Sequence, residues 1–262
     1  MAIQAQRHSP AFFWAVRLLL LTVLLAAWQW GAQSGLIASY LFGEPLKVGR
    51  NFFAWFASGK IYYHLMITLF ETAAALVLGS LFGFVAGLCL ALNNFLERVL
   101  DPFLKALNAM PRVVLAPIFA VWFGLGPGSK IALGITLVFF VVFFNVLQGV
   151  REVSQTAIDS SRMLGADRRH LIRHVYVPSA TSWVFSSLHS AVGMAFVGAV
   201  IGEYLGSAAG VGYLILQAES VFDIDTVIAG IALLTIFALL LDYGVTLAER
   251  RLLRWHPNFS RQ

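Results

Sequence analysis

Residues 151–181, REVSQTAIDSSRMLGADRRHLIRHVYVPSAT, form a polar stretch between long apolar runs. The stretch holds five of the chain's eighteen Lys and Arg residues. Because the flanking runs each reach the ~20 residues with which a helix crosses ~30 Å of hydrocarbon, this charged segment must lie outside the membrane. The position of this stretch therefore decides how the rest of the chain is arranged.

The composition of the whole chain is that of an integral membrane protein. The 262 residues are 59% hydrophobic and 12% charged, with a mean hydropathy of +0.80. A soluble globular domain is about 25% charged, so this chain has too few polar residues to cover a body in water. A membrane β-barrel would show alternating segments of about ten residues, which the sequence lacks. The predicted fold class is all-α, a polytopic membrane protein.

Six apolar segments are predicted to be transmembrane helices of a single domain covering residues 1–262. The predicted spans are 12–30, 65–92, 99–124, 131–150, 183–205 and 226–248. The third span contains Pro102, Pro111 and Pro117. Since proline removes a backbone donor and clashes with the preceding turn, we expect a kinked or broken helix there.

The second span carries Gly79, Gly83 and Gly87 on one helical face. In lipid there is no hydrophobic drive between helices, and small residues let two backbones approach closely. The glycine row therefore predicts a tight helix–helix contact, either within one subunit or between two.

The distribution of Lys and Arg predicts the orientation of the spans. The predicted cytoplasmic segments with their flanks hold thirteen Lys and Arg residues, and Arg112 belongs to neither side. The outer connectors hold four, namely Lys47, Arg50, Lys60 and Lys130. By the positive-inside rule, both termini and residues 151–181 face the cytoplasm. This rule also accounts for the net charge of +5 without nucleic acid. The basic N-terminus begins an uncleaved first helix, because Trp28 and Trp30 end the run where a signal peptide would have small residues.

Motifs for catalysis and metal binding are missing from the sequence. It has no Gly-x-x-x-x-Gly-Lys nucleotide loop ending in Ser or Thr, no His-Glu-x-x-His and no Cys-x-x-Cys. His170 and His174 are spaced i,i+4, but flanking arginines favour a solvated surface over a metal site. We predict no catalytic residue, no metal site and no enzymatic activity.

Four ionisable residues lie in or near the predicted spans, where charge is costly and usually functional. Glu71 lies about two turns into its span and Asp242 in the last turns of the sixth. An interfacial position is favoured for both, and a position that faces the bundle interior or the pathway stays open. Glu203 lies near the outer end of the fifth span, and both an interfacial and a pathway position stay open for it. Arg112 follows Pro111, where a helix break would leave carbonyls that it could bond. Arg112 and Glu203 are the predicted substrate-pathway residues.

The polar stretch itself has the pattern of a short helix. Five small or apolar residues share one face, namely Val153, Ala157, Ser160, Ser161 and Leu164. Gly165 follows as a helix stop, and a basic segment, 167–174, leads to Pro178. Small residues on an exposed face suit insertion into a groove of a partner protein. The alternative is a helix that lies on anionic lipid.

Residues 159–166, Asp-Ser-Ser-Arg-Met-Leu-Gly-Ala, followed by Ile172 and Pro178, resemble the EAA loop of binding-protein-dependent ABC importer permeases. The family pattern is Glu-Ala-Ala, three variable residues, Gly, and a later hydrophobic–Pro element. Here Asp-Ser-Ser replaces Glu-Ala-Ala but keeps its small-residue character. Gly165 and Pro178 match the pattern, and Ser182 stands where a second proline is common.

Other segments resemble the nitrate/sulfonate/taurine group of these permeases. They are 116–126 (APIFAVWFGLG), 129–130, 148–149, 203–206 (EYLG) and 210–215 (GVGYLI). The resemblance covers about residues 65 to 255. It implies a six-helix core like that of type I ABC importers, in the bacterial cytoplasmic membrane.

The resemblance also implies partners and a coupling site. The chain would pair with a second permease subunit, commonly a copy of itself, with two cytoplasmic ATPase subunits and with an external, periplasmic substrate-binding protein. ATP and Mg²⁺ would bind the ATPase, and this chain would hold no cofactor. The implied ATPase-coupling residues are Ala157, Ile158, Asp159, Ser160, Ser161, Arg162, Met163, Leu164, Gly165, Ala166 and Pro178.

The substrate implied by the resemblance is a small anion such as a sulfonate, taurine or nitrate. An ATP-independent secondary transporter or channel is the alternative, since it could also have six spans and a broken third helix. Such a transporter would work without an ATPase, and it would usually show internal repeats, which the sequence lacks.

Overall fold

The computed structural model describes residues 10–252, with side chains described for residues 12–247. The described residues form twelve α-helices, one 3₁₀ turn and one π turn, with no β-strand among them. The predicted all-α fold is confirmed. The predicted cytoplasmic positions of the two termini concern residues 1–9 and 253–262, which lie outside the described residues.

The helices follow in chain order. They are α1 Pro10–Gln33, α2 Ser39–Phe42, α3 Pro45–Ala57, α4 Lys60–Ala91, α5 Asn94–Ala109, α6 Ala116–Phe123, α7 Pro127–Arg151, α8 Gln155–Met163, α9 Arg168–Leu171, α10 Val177–Leu205, α11 Val211–Ser220 and α12 Ile224–Leu252. The 3₁₀ turn Arg112–Leu115 precedes α6, and the π turn Ile172–Tyr176 joins α9 to α10.

Five helical segments of the described chain are long and apolar enough to cross a membrane. A sixth span arises if α5 and the segment Arg112–Phe123 count as one, although they are bent by 81°. The break follows Ala109, where Pro111 interrupts the helix. Pro102 lies inside α5 without ending it, and Pro117 lies in the first turn of α6. The predicted broken third span is confirmed, with Pro111 as its cause.

The described residues group into two compact units. The first comprises residues 10–59 and 215–233. In it, the backbone N–H of Glu44 donates to Asp225 Oδ1 at 2.7 Å, and Asn51 Nδ2 donates to Thr226 Oγ1 at 2.8 Å. These bonds join α3 to the start of α12. The single domain over residues 1–262 stays a prediction.

The second unit comprises residues 60–214 and 234–252, and its core is a bundle of α4, α7 and α10. The glycine row of α4 lies directly on α7. A Cβ built on Gly83 would lie 2.7 Å from the carbonyl oxygen of Phe139, and one built on Gly87 would lie 2.8 Å from that of Phe143. The predicted tight contact is therefore confirmed, and it lies within one subunit.

Helix α10 packs antiparallel on α7. A Cβ built on Gly198 would lie 2.5 Å from Cα of Gly134, and one built on Gly149 would lie 2.7 Å from Cδ1 of Trp183. Small and β-branched side chains, Val138, Val142, Val146, Ala191 and Ala195 among them, fill the space between the three helices. Close backbone approach thus sets the spacing on both sides of α7.

The helix of the fifth span begins earlier than its hydrophobicity predicts. A helical segment runs from Arg168 to Leu205, whereas the predicted span begins at residue 183 and places 168–181 in a loop. The Asp167 carboxylate caps the segment by accepting from the backbone N–H of His170 at 2.7 Å. Polarity marks where hydrocarbon begins and the cap marks where the helix begins, so the helix extends beyond the predicted span, whose boundary stays a prediction.

The α4–α7 contact should be sensitive to a single methyl group. In Gly83→Ala the added Cβ meets a backbone oxygen that cannot rotate away, and we expect destabilisation of about 1–3 kcal/mol. Gly193→Ala in α10 is the matched control, because nothing lies within 4 Å of its Cβ position. Alanine favours helix over glycine, so the control should be neutral or up to about 1 kcal/mol more stable. Thermal unfolding in detergent measures both, and equal Tm values would contradict this packing.

Candidate functional site

Helix α8 is a short helix with both ends capped. At its start, the Ser154 hydroxyl accepts from the backbone N–H of Ala157 at 3.2 Å. At its end, the N–H of Gly165 donates to Arg162 O at 2.9 Å, and the N–H of Ala166 donates to Ser161 O at 3.0 Å. These two bonds form a Schellman motif. Its turn requires the left-handed backbone of Gly165, whose φ is +88°.

The predicted contact residues lie mostly on the surface of α8. Met163 and Leu164 are 90% and 89% exposed, an unusual state for large apolar side chains at the end of a helix of 9 residues, too short to cross a membrane. Ala157, Asp159, Ser160, Arg162 and Gly165 are also exposed, and Ser161 and Ala166 are partly so. Ile158 is 7% exposed, so within the predicted set it is the residue that faces the protein interior.

A cavity of about 820 Å³ adjoins α8 on the side of the bundle. Its lining includes Asn93, Ile158, Arg162 and Tyr176. The ion pair of Arg151 with Glu97 also lines it and ties the end of α7 to α5. Helix α8 thus lies beside this cavity, with its buried residue Ile158 on the side that faces the bundle.

The chain after α8 returns directly into the bundle. The backbone N–H of His170 holds the pKa of the exposed Asp167 carboxyl below its usual range, consistent with its capping role. Pro178 lies in the first turn of α10, half-buried and just after the π turn. One residue later, the Ser179 hydroxyl donates to the Gly149 carbonyl of α7 at 2.7 Å. The predicted residue Pro178 therefore lies where the α8 loop, residues 152–176 between α7 and α10, joins the bundle.

A cluster of buried polar residues lies at the opposite end of the same bundle. Lys130 and Glu203 have no exposed surface, and Thr68 is 1% exposed. The Lys130 ammonium donates to the carbonyls of Leu125 and Gly206 at 2.5 and 2.6 Å, and to that of Gly126 at 3.1 Å. These carbonyls follow the C-terminal ends of α6 and α10, where a cation is favourable.

Glu203 makes the complementary contacts at the start of α11. Its carboxylate accepts from the Thr68 hydroxyl at 2.6 Å and from the backbone N–H of Gly212 at 2.8 Å. The same Thr68 oxygen accepts from the N–H of Val211 at 3.1 Å. A Cβ on Gly210 would lie 2.1 Å from Cδ of Glu203, so only glycine fits beside the carboxylate. The pathway role predicted for Glu203 stays a prediction; here the chain's own groups enclose it.

Arg112, the other predicted pathway residue, bonds the carbonyl of Asn108 at 2.9 Å and also its side-chain oxygen. Its guanidinium lies 4.5 Å from the ring centroid of Phe140. The expectation that Arg112 would bond carbonyls at the helix break is confirmed. Its contact with substrate stays a prediction.

The other two ionisable residues, Glu71 and Asp242, differ in exposure. Glu71 is 1% exposed, so its side chain faces the interior of the bundle. Its position relative to the membrane interface stays a prediction. Asp242 is exposed and pairs with Nδ1 of His189 at 2.6 Å. Lys130 was assigned to an outer connector, yet it is buried among α6, α7 and α10. In the sequence, Lys130 stands two residues after Gly126-Pro127-Gly128 and directly before an apolar run. This position was the feature that could have indicated its burial in the first turns of a helix.

In the part of the chain that the structure describes, no group of three or more His, Cys, Asp or Glu residues could hold a metal ion. His170 and His174 stack with ring centroids 5.1 Å apart and lie on the exposed side of the α8 loop.

Comparison with known proteins identifies relatives over nearly the whole chain. The profile of the family described as "Binding-protein-dependent transport system inner membrane component" matches residues 79–254. A putative aliphatic sulfonates transport permease protein of Bacillus subtilis is 30% identical, covering 98% of this chain and 94% of the relative. The taurine transport system permease protein of Escherichia coli is also 30% identical, over 90% of this chain and 88% of the relative.

The fold has solved counterparts. A crystal structure of an amino acid ABC transporter matches with a TM-score of 0.60 at 18% identity, covering 79% of this chain and 96% of the matched chain. At this identity the likeness concerns the fold alone.

The Lys130 contacts should be essential for stability. In Lys130→Met three carbonyl oxygens lose this donor, and we expect destabilisation of about 2–5 kcal/mol, since buried unsatisfied acceptors are costly. Lys105→Met is the matched control, because its ammonium is exposed and pairs with Asp101 one turn away. Thermal unfolding monitored by tryptophan fluorescence compares the two, and a similar Tm for both variants would contradict a structural role for the buried ammonium.

Proposed function

The chain belongs to the family of binding-protein-dependent transport system inner membrane components and is a permease subunit of an ABC importer; we propose that it works as a homodimer with two cytoplasmic ATPase subunits and one external substrate-binding protein. ATP and Mg²⁺ bind the ATPase subunits, and this chain holds no cofactor and has no enzymatic activity. The pair of permeases forms the pathway through the bacterial cytoplasmic membrane, with both termini of each subunit on the cytoplasmic side.

The observation that carries the coupling role is the exposed, doubly capped α8. Met163 and Leu164 present apolar surface at its free end, and the Gly165 turn holds that end in one conformation. A rigid helix with an apolar tip suits a groove on an ATPase subunit, where the side chains of α8 leave water. The coupling contact is therefore assigned to residues 157–166, with Pro178 at the junction behind it.

Movement of α8 can reach the far end of the bundle through one continuous element. The helical segment Arg168–Leu205 has 38 residues, or about 57 Å at 1.5 Å per residue. It starts three residues after Gly165 and ends beside Glu203. Closure of the ATPase dimer on ATP would move α8 and rock the two permeases toward the outward-open state. Because a ligand shifts an equilibrium only by differential affinity, ATP must favour that state, and hydrolysis must release it.

The proposed substrate is a small solute with a sulfonate group, such as taurine or an alkyl sulfonate anion, with nitrate as a further candidate. The support is the relation to a sulfonate permease and a taurine permease at 30% identity over most of the chain. The binding protein provides most of the selectivity. Arg112 and Glu203 are the proposed pathway residues on this chain.

Reconstitution tests the proposal and separates it from an ATP-independent transporter or channel. Purified permease in liposomes should take up radiolabelled taurine only when the ATPase, ATP and a taurine-loaded binding protein are all present. Nitrate and glycine betaine serve as a competing anion and a control solute without a sulfonate. Uptake without the ATPase would contradict ATP-driven import. ATP-dependent uptake of a cationic solute, with none of any anion, would contradict the substrate class.

The coupling assignment predicts a specific defect in Gly165→Val. A β-branched residue cannot hold a φ of +88° without strain, so the α8 end should move while the bundle stays folded. We expect normal insertion but at least a tenfold loss of ATPase stimulation by the loaded binding protein. Gly124→Val is the control, because Gly124 also has positive φ and open space but lies at the other end of the bundle. Equal stimulation in both variants would contradict the role of α8.

A further inference from the structure

Three ionisable side chains are sealed inside the end of the bundle opposite α8. Glu71, Lys130 and Glu203 are 1%, 0% and 0% exposed and come from α4, α7 and α10. Isolated charges in such a site are strongly disfavoured. The hydrogen-bond donors and acceptors around each side chain determine which of the three carry charge.

Lys130 is a cation. Its nitrogen donates to three carbonyl oxygens, those of Leu125, Gly126 and Gly206. An ammonium has three N–H donors and a neutral amine has two. All three contacts are satisfied only by the ammonium, and no donor is left over for either carboxyl group. The cluster therefore contains one positive charge that is not cancelled by a direct ion pair.

Glu203 is the anion that balances it. The backbone N–H of Gly212 can only donate, and it lies in the first turn of α11, where the helix dipole favours negative charge. The Thr68 hydroxyl accepts from the N–H of Val211. Its own hydrogen has two acceptors within reach, Glu203 Oε1 at 2.6 Å and the carbonyl of His64 at 3.1 Å; the shorter contact is to the carboxylate. Both carboxylate oxygens of Glu203 therefore accept hydrogen bonds from the chain.

The carboxyl groups of Glu71 and Glu203 lie close enough to each other to share a hydrogen bond. Two carboxylates carry only lone pairs and cannot form this bond unless a proton lies between them. The second oxygen of Glu71, Oε2, is buried without a hydrogen-bond partner among the described residues. A bare oxygen is tolerable on a neutral acid and far less so on an anion.

We infer that Glu71 and Glu203 form a proton-binding site: one proton resides on Glu71, is donated to the Glu203 carboxylate, and leaves the cluster electrically neutral with Lys130. Two further titratable groups lie near Gly210, which borders Glu203: His64 of α4, which bonds the N–H of Gly210, and Tyr213 of α11, which stacks on His64. Nδ1 of His64 accepts from the backbone N–H of Gly210 at 3.1 Å, so its ring is neutral with hydrogen on Nε2.

The proton acts as a structural ligand of the segment between α10 and α11. With it, Glu203 faces donors on every side and holds the N–H of Gly212, while Thr68 holds that of Val211. Without it, two negative charges would meet in a closed space, and the segment 206–214 would lose its anchor. The site thus makes this end of the bundle dependent on bound proton. It does not rest on the proposed transport function.

Infrared spectroscopy of the purified full-length protein tests the assignment directly. A protonated carboxylic acid has a carbonyl stretch that a carboxylate lacks. At neutral pH the wild type should show this band, and Glu71→Gln should lose it. Glu152→Gln, which removes an exposed glutamate near α8, is the control and should keep it. Absence of the band in the wild type, or its persistence in Glu71→Gln, would overturn the inference.

Stability as a function of pH provides the second measurement. The folded state binds a proton that the unfolded state releases at neutral pH. The folding equilibrium constant of the wild type should therefore fall by up to about tenfold per pH unit as the pH rises from neutral. Glu71→Gln imitates the protonated acid, so it should fold normally and lose this pH dependence. The double variant Glu71→Gln/Glu203→Gln leaves Lys130 unbalanced and should be much less stable than Glu71→Gln. An unchanged pH slope in Glu71→Gln, or equal stability of the single and double variants, would contradict the proton site.

Discussion

The close approach of backbones along α7 is the constraint on which the rest of the second unit depends. Gly83 and Gly87 of α4 lie against carbonyl oxygens of α7 on one side, and Gly198 of α10 lies against Gly134 on the other. In lipid such contacts replace the hydrophobic effect as the source of helix association. Because these contacts fix the spacing of all three helices, they also fix the relative positions of the residues at both ends of the bundle.

One end of the bundle is open and the other is sealed. At the open end, α8 exposes apolar side chains that no described residue covers, which is the condition of a surface that docks a partner. At the sealed end, Lys130 and Glu203 make their hydrogen bonds within the chain. A transporter that is driven from one side needs this division. The driven end must fit a partner, and the far end must keep its internal geometry while the helices move.

The features that the sequence predicted correctly depend on local chemistry. Gly165 ends α8 because glycine adopts positive φ without help from distant residues. Pro111 breaks the third span because its missing N–H removes a hydrogen bond within the same helix. The glycine row indicated a contact but left its partner open between the same subunit and another. The burial of Glu71 and Lys130 was not predicted, because their surroundings come from helices distant in sequence. The start of the helix at Arg168 was missed because polarity was taken as the boundary, whereas the Asp167 cap sets it.

The π turn at residues 172–176 has a consequence for the geometry of the permease. Relative to an α-helix, a π turn accommodates one extra residue, and one residue corresponds to about 100° of rotation around the axis. The chain on the α8 side of the turn is therefore set at a different azimuth from the helix that packs on α7, while the membrane span keeps its register. The π turn thus changes the rotation of α8 about the helix axis relative to α10. A change in the length of this turn would rotate α8 about the helix axis while the packing of α10 on α7 stayed the same.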